Sequence, residues 1–141
     1  MFEKIKNNSK NTFYPVKAES IRKAESEMGI IMPKSLVEFY LNVGYGFLET
    51  NIYNINRIMG PSSVAEFWLE IGQFENSEEA EIFGEYARDK LVFFEATESL
   101  FLSIGITKLN GGKIYYYDEV IAGNLNEFFE KYLEDEKYFL D

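Results

Sequence analysis

"LVFFEATESLFLSIGITKLNGGKIYYYD", residues 91–118, is the stretch in which the hydrophobic period of the chain becomes two. Within 99–107, Leu100, Leu102, Ile104 and Ile106 fall on one face and Phe101, Ser103, Gly105 and Thr107 on the other, because successive side chains of a strand point to opposite sides. The preceding run LVFFEAT, 91–97, is apolar and aromatic and reads as a neighbouring strand. Asn110, Gly111 and Gly112 form a strong turn signal, so KIYYYD, 113–118, returns as the next strand of a hairpin. Residues 119–122 read as one more short strand, turned by Gly123.

Outward from this stretch the period changes to that of helices. Downstream, Leu125, Phe128, Phe129, Tyr132 and Leu133 mark an amphipathic C-terminal helix, followed by EDEKYFLD, whose YFL either packs back on the domain or pairs two chains. Upstream, Ser77 is placed to cap a helix with Glu78 and Glu79 in its first turn, and Ile82, Phe83 and Tyr86 are its expected buried side. Ser63 and Glu66 have capping-box spacing, and Val64, Phe67, Trp68 and Ile71 repeat as a helix ending near Gly72. Trp68 reads as core first and interface anchor second. The segment FLETNIYNINRI, 47–58, carries Phe47, Ile52, Ile55 and Ile58 and reads as one strand or a pair of short ones.

Near the start, "MGIIMPKSLVEFYLNVGYG", residues 28–46, stops one helix and begins another. Ile21, Ala24 and Met28 form the apolar face of the first, and Gly29 supplies the left-handed residue that ends it. Pro33 suits the first helical position of the second, where an N–H would lack a partner in any case. Leu36, Phe39, Tyr40 and Val43 are its apolar face, and Gly44 is placed to close it. Without repeated βαβ units, this order predicts an α+β fold: a mainly antiparallel sheet covered by the N-terminal helix pair, the middle helices and a C-terminal helix. No linker, repeat or low-complexity tract interrupts residues 1–141, which are expected to form a single domain.

Composition narrows the chemistry. There is no cysteine and no histidine among the 141 residues, so disulfides, thiolate metal sites and the Ser-His and Cys-His constellations are excluded. A catalytic centre would have to use carboxylates, Lys, Tyr, Ser or Thr. Glu95 with Glu98, and Asp118 with Glu119, are carboxylate pairs beside turns, a position in which such groups are usually solvated. EEAE at 78–81 cannot direct adjacent glutamates at one ion, and NGG is explained by its turn; no metal and no cofactor are expected. No segment has the length and apolarity of a signal peptide or membrane span, so the expected location is the cytoplasm.

The net charge of −10 is unevenly distributed: residues 1–23 hold six Lys/Arg and two Glu, leaving eight Lys/Arg and 22 Asp/Glu in the remainder. Between Arg57 and Arg88 there is no basic residue, while Glu66, Glu70, Glu75, Glu78, Glu79, Glu81 and Glu85 lie in that interval. Such a field repels nucleic acid and attracts basic proteins, unless it is simply a solvated face that aids solubility. Tyr115, Tyr116 and Tyr117 occupy adjacent strand positions, so Tyr116 faces away from its neighbours; they serve either as core or, where one reaches the surface, as an aromatic contact.

Four stretches together resemble the SUKH superfamily, which includes the yeast cell-wall-assembly regulator and many bacterial immunity proteins. "ESIRKAESEMGIIMPKSLVEFYLNVGYG" is similar to the family's opening, "LVFFEATESLFLSIGIT" to its central strands, "GGKIYYYD" to its later hairpin strand, and "VIAGNLNEFFEKYL" to the final strand and helix. The acidic helical patterns at 63–88 depart from members that proceed through strands there. The resemblance implies an α+β domain that works by binding and not by catalysis, with no shared catalytic residues. In bacterial members this commonly means neutralising a cognate toxin, often a nuclease. The expected partner is therefore a basic protein, with Glu75, Glu78, Glu79 and Glu85 as acidic contacts and Tyr115 and Tyr117 as aromatic anchors. The other readings are an intracellular regulatory adaptor of the same fold and, last, a small carboxylate hydrolase using Glu95 or Asp118.

Overall fold

The computed structural model describes residues 2–49 and 54–140, so Ile52 lies outside the described residues. Seven strands, β1 (Thr12–Tyr14), β2 (Tyr45–Phe47), β3 (Arg57–Ile58), β4 (Lys90–Thr97), β5 (Leu100–Gly105), β6 (Ile114–Tyr116) and β7 (Glu119–Ala122), form one sheet. Its spatial order is the chain order, every neighbour antiparallel. The helices are α1 (Glu3–Lys6), α2 (Ala18–Met28), α3 (Lys34–Asn42), α4 (Pro61–Leu69), α5 (Glu78–Tyr86) and α6 (Leu125–Glu134), with short 3₁₀ turns at Gly72–Phe74 and Tyr138–Leu140. The class is α+β, as the sequence predicts.

The alternation in β5 sorts its side chains into two sets, and both are buried. Leu102 pairs across from Phe94, whose ring meets Phe128 of α6 at 5.5 Å. Phe101, on the opposite face, lies 5.0 Å from Phe67 of α4 and 6.0 Å from Phe74. The central strands therefore sit between two helical layers. Phe39 of α3 stacks on Phe129 at 5.0 Å, and Phe2 closes edge-on against Phe39, so an aromatic chain runs from the N-terminus into α6.

The N-terminal helices work as anticipated. Gly29, with φ 73°, ends α2, and Glu25 accepts a hydrogen bond from the Met32 N–H at 2.8 Å, bracing the link to α3. Ile21, Ala24 and Met28, then Leu36, Phe39 and Tyr40, are buried, whereas Val43 is half-buried. Since α2 lies against α4 while α3 meets α6, the pair bridges the helices of the two faces. The Tyr40 hydroxyl donates to the Met59 carbonyl at 2.6 Å inside the core. Pro33, expected in the first helical position, instead caps α3 from the residue before it, its extended ψ of 140° lying outside the helix and its carbonyl accepting from Leu36 and Val37.

Several expectations are corrected. The capping box at Ser63 and Glu66 does not form, because α4 begins two residues earlier, at Pro61, whose fixed φ suits a first turn. The Ser63 hydroxyl instead meets Gln73 Oε1 at 3.3 Å. α4 stops at Glu70 in the left-handed region, not near Gly72, and Ile71 is exposed. Of segment 47–58, Phe47 ends β2 and Arg57–Ile58 form β3, in line with the expected pair of short strands, but Phe47 faces outward. α5 buries Ala80 and Phe83, while Ile82 and Tyr86 point to solvent. Adjacent helical residues lie about 100° apart, so a stripe as narrow as the one α5 presents cannot hold both Ile82 and Phe83. Leu133 is likewise exposed. Trp68 is half-buried, with the Arg88 guanidinium 4.0 Å over its ring.

Strand β1 gives no clear periodic signal over three residues. It pairs with β2 where Gly46, φ 147°, passes so close that a Cβ would stand 2.0 Å from the Thr12 carbonyl oxygen. The tail packs back: Phe139 is buried against Tyr116 at 5.4 Å, and the Tyr138 hydroxyl donates to the Ile121 carbonyl at 2.8 Å.

Candidate protein-binding face

α5 owes its position to a cap and to two side chains. Ser77 Oγ accepts from the Ala80 N–H at 3.2 Å, fixing where the helix starts, and Phe83 sits edge-on to Phe67 at 5.7 Å. With Ala80 and Phe83 turned inward, Glu78, Glu81, Ile82 and Glu85 fall on the outer side at spacings of three and four. Glu75 is exposed just before the helix and Glu79 is half-buried beside it. Among the described residues, Glu75, Glu78, Glu79 and Glu85 have neither ion pair nor side-chain hydrogen bond, unlike Glu95, Glu127 and Glu49, which pair with Arg57, Lys131 and Lys10. Arg88, the next cation along the chain, is engaged with Trp68, donating also to its carbonyl at 3.1 Å. The negative field of α5 is thus left open toward solvent.

Tyr117 is brought to the same place. A left-handed φ of 53° takes it out of the strand alternation, and its ring stacks on Phe83 at 6.5 Å and lies tilted against Tyr116 at 4.9 Å. Half of its surface remains exposed, 50%. Tyr115 is not brought there as a free ring: it pairs opposite Ser103, is 9% exposed, and has the Lys90 ammonium 4.7 Å over it. Sequence reasoning missed Ile82 and Tyr86 as surface residues. The available signal was the short i, i+3 step from Ala80 to Phe83, which completes a buried stripe without them.

The carboxylate pairs have other settings. The Glu95 side chain is 19% exposed and lies 3.1 Å from Arg57 Nε. Burial pushes its carboxyl above the usual carboxylate range; the Arg57 guanidinium pulls the other way, and Glu98 adds to the rise. A carboxylate held on a guanidinium is a structural tie between β3 and β4, which pair at these two residues. Asp118 and Glu119 are exposed at the β6–β7 turn. Among the described residues no group of three or more carboxylates is placed to hold a metal, and no helix is long and apolar enough to cross a membrane.

Comparison with known proteins adds to this geometry. The profile of the SMI1/KNR4 family (SUKH-1) matches residues 15–131. The chain is 45% identical over 137 residues to "Immunity protein YxxD" of Bacillus subtilis (strain 168), covering 97% of this chain and 93% of that protein. No solved structure matches it.

Proposed function

Because the chain belongs to the SMI1/KNR4 (SUKH-1) family, we propose that it is a non-enzymatic immunity protein which binds a cognate toxin and occludes it. The observation that carries this reading is the 45% identity, over nearly the full length of both chains, to a protein named for immunity. Charge supports a basic toxin: α5 holds glutamates with no ion pair among the described residues, and complementary charge speeds encounter and disfavours wrong partners. A nuclease is the toxin class that suits this field best, since enzymes that grip phosphate backbones carry basic surfaces. The contact surface in this reading is the outer side of α5, with Glu75, Glu78, Glu79 and Glu85 around Ile82 and with Tyr117 at its flank; Tyr115 lies under Lys90 and contributes little area.

The test is growth rescue together with binding. Co-expression with a cognate toxin, sought among the reading frames beside its gene, is expected to restore growth, and the purified pair to form a one-to-one complex. Reversal of Glu75 and Glu85 to Lys is expected to weaken that complex at least about tenfold at low salt, with a smaller effect at high salt where exposed charges are screened. Failure to rescue growth would remove the immunity reading. Rescue with unchanged affinity would keep immunity and move the contact surface elsewhere.

A further inference from the structure

The turn between β5 and β6 has a chemistry that a binding role leaves unused. Asn110 and Gly111 are the one Asn–Gly pair in the chain. Once base has taken its proton, the backbone nitrogen of a glycine can attack the side-chain carbonyl carbon of the asparagine before it, since no Cβ shields that nitrogen. A bond forms from nitrogen to Cγ, and the Cγ–Nδ2 bond breaks as ammonia leaves with a proton from water. The five-membered succinimide that results is opened by water at either carbonyl, to aspartate or to isoaspartate. Water and base are the only reagents.

The fold holds this amide at both ends. Asn110 is 7% exposed. Its Oδ1 accepts from the Thr107 N–H at 2.9 Å and from Thr107 Oγ1 at 2.6 Å. Its Nδ2 donates to the Asp89 carbonyl at 3.0 Å and to Asp89 Oδ2 at 3.4 Å. The amide carbon is packed on Gly105, where an added Cβ would stand 2.6 Å from it. Around it the turn is closed by the Gly112 N–H on the Gly105 carbonyl and the Lys113 N–H on the Asn110 carbonyl, both at 3.0 Å. Two donors on Oδ1 would stabilise a developing oxyanion, but only for a nitrogen free to reach Cγ. Swinging Cγ onto the Gly111 nitrogen breaks the ties to Asp89 and Thr107 inside a buried setting, where lost hydrogen bonds are not replaced by water.

The product does not suit the place that the amide leaves. A carboxylate has no donor for Asp89, and its second oxygen would stand where Nδ2 now lies, 3.4 Å from Asp89 Oδ2, like charge against like charge. Isoaspartate also adds a methylene to the main chain of the turn and moves Gly112 and Lys113 off their acceptors. We propose that Asn110 is a deamidation site gated by the fold. Its amide is inert while the β5–β6 hairpin is closed. A chain whose hairpin opens is converted, and the converted chain no longer closes as before, so the turn records opening in one direction. Nothing in this depends on a toxin.

The experiment incubates the full chain at mildly alkaline pH, folded and in guanidinium chloride. The peptide carrying residues 109–113 is followed by mass spectrometry for the replacement of NH₂ by OH, with aspartate and isoaspartate separated by chromatography. Conversion of the unfolded chain is expected to be at least about tenfold faster, because the folded rate is the unfolded one scaled by the fraction of time the hairpin is open. Thr107→Val keeps the volume and removes the hydroxyl that bonds Oδ1 and the Asn110 N–H, and it is expected to raise the folded rate at least about threefold. Asn110→Asp supplies one product directly and is expected to lower the thermal midpoint by at least about 3 °C. Equal rates in the folded and unfolded chain overturn the proposal, and so does a faster folded rate, which would mean that Thr107 activates the amide. An unchanged rate in folded Thr107→Val, or an unchanged midpoint in Asn110→Asp, overturns it as well. The parent chain and Asn110→Asp decide the matter whether or not Thr107→Val folds, and none of these results bears on growth rescue.

Discussion

α6 and α5 are helices of similar length laid against opposite faces of one sheet, and they use their apolar residues differently. α6 turns Leu125, Phe128, Phe129 and Tyr132 into the core; α5 turns in only Ala80 and Phe83, leaving Ile82 and Tyr86 in solvent among glutamates. The polar sides differ as well. On α6, Asn124 Oδ1 accepts from the Glu127 N–H at 2.8 Å, while Glu127 reaches back to the Gly123 N–H and pairs with Lys131 at 3.2 Å. Among the described residues the glutamates of α5 form no such ties. A helix that spends its side chains on its own fold contributes stability; one that leaves them free has surface for a partner.

This contrast is sharpest in the core. Phe128→Ala, at a fully buried ring touching Phe93, Phe94, Phe129 and Tyr132, is expected to cost about 3–5 kcal/mol in urea unfolding. Phe83→Ala, 8% exposed and near the surface of its layer, should cost about 2–3 kcal/mol by the same transfer and cavity reasoning. Equal losses would mean that α5 is as integral as α6. The reversal of Glu75 and Glu85 tests the other half: chemical denaturation should move by no more than about 0.5 kcal/mol, since both are exposed and have no ion pair among the described residues. A larger change would show that these charges serve the fold.

The caps should differ more modestly. Asn124→Ala is expected to cost about 1–2 kcal/mol and Ser77→Ala about 0.5–1 kcal/mol, the longer bond of Ser77 and the thinner packing of α5 placing it lower. The smallest effect concerns acid. The Gly123 N–H, and after it Lys131, hold the Glu127 carboxyl below its ordinary value of 4.5. A depressed acid contributes stability that is complete above that value and is lost as pH falls through its folded-state pKa. Glu127→Gln should therefore show a shallower loss of stability between about pH 5 and 3, read from thermal midpoints across that window. An unchanged slope would place the acid sensitivity elsewhere.

The legibility of the sequence follows the same division. Where an element buries a broad stripe, as α6 and α2 do, periodicity named its buried residues, Leu133 at the end of α6 being the one it added in error, and the NGG turn located the hairpin. Where burial is narrow or the element short, other forces decided. Pro61 set the start of α4 ahead of the Ser63 hydroxyl, and the phase imposed by the Ser77 cap sent Ile82 outward. β1 is three residues long and exists through its pairing with β2, made possible by Gly46. The acidic interval was visible as composition, but its lack of internal partners depends on where Arg88 goes, and Tyr117 joined it through a backbone angle that no residue pattern announces.

Strand order identical to chain order has a consequence for how the molecule is made. As the polypeptide leaves the ribosome, each strand finds its neighbour already synthesised, and none has to be inserted later between two that have closed. The sheet grows by accretion along a single advancing edge, so nascent chains of any length present one newly made border and never a gap. Two stretches interrupt this succession, that between β1 and β2, which carries α2 and α3, and that between β3 and β4, which carries α4 and α5. The helix that holds its charge outward is made during the second pause, before the strands it will cover have emerged.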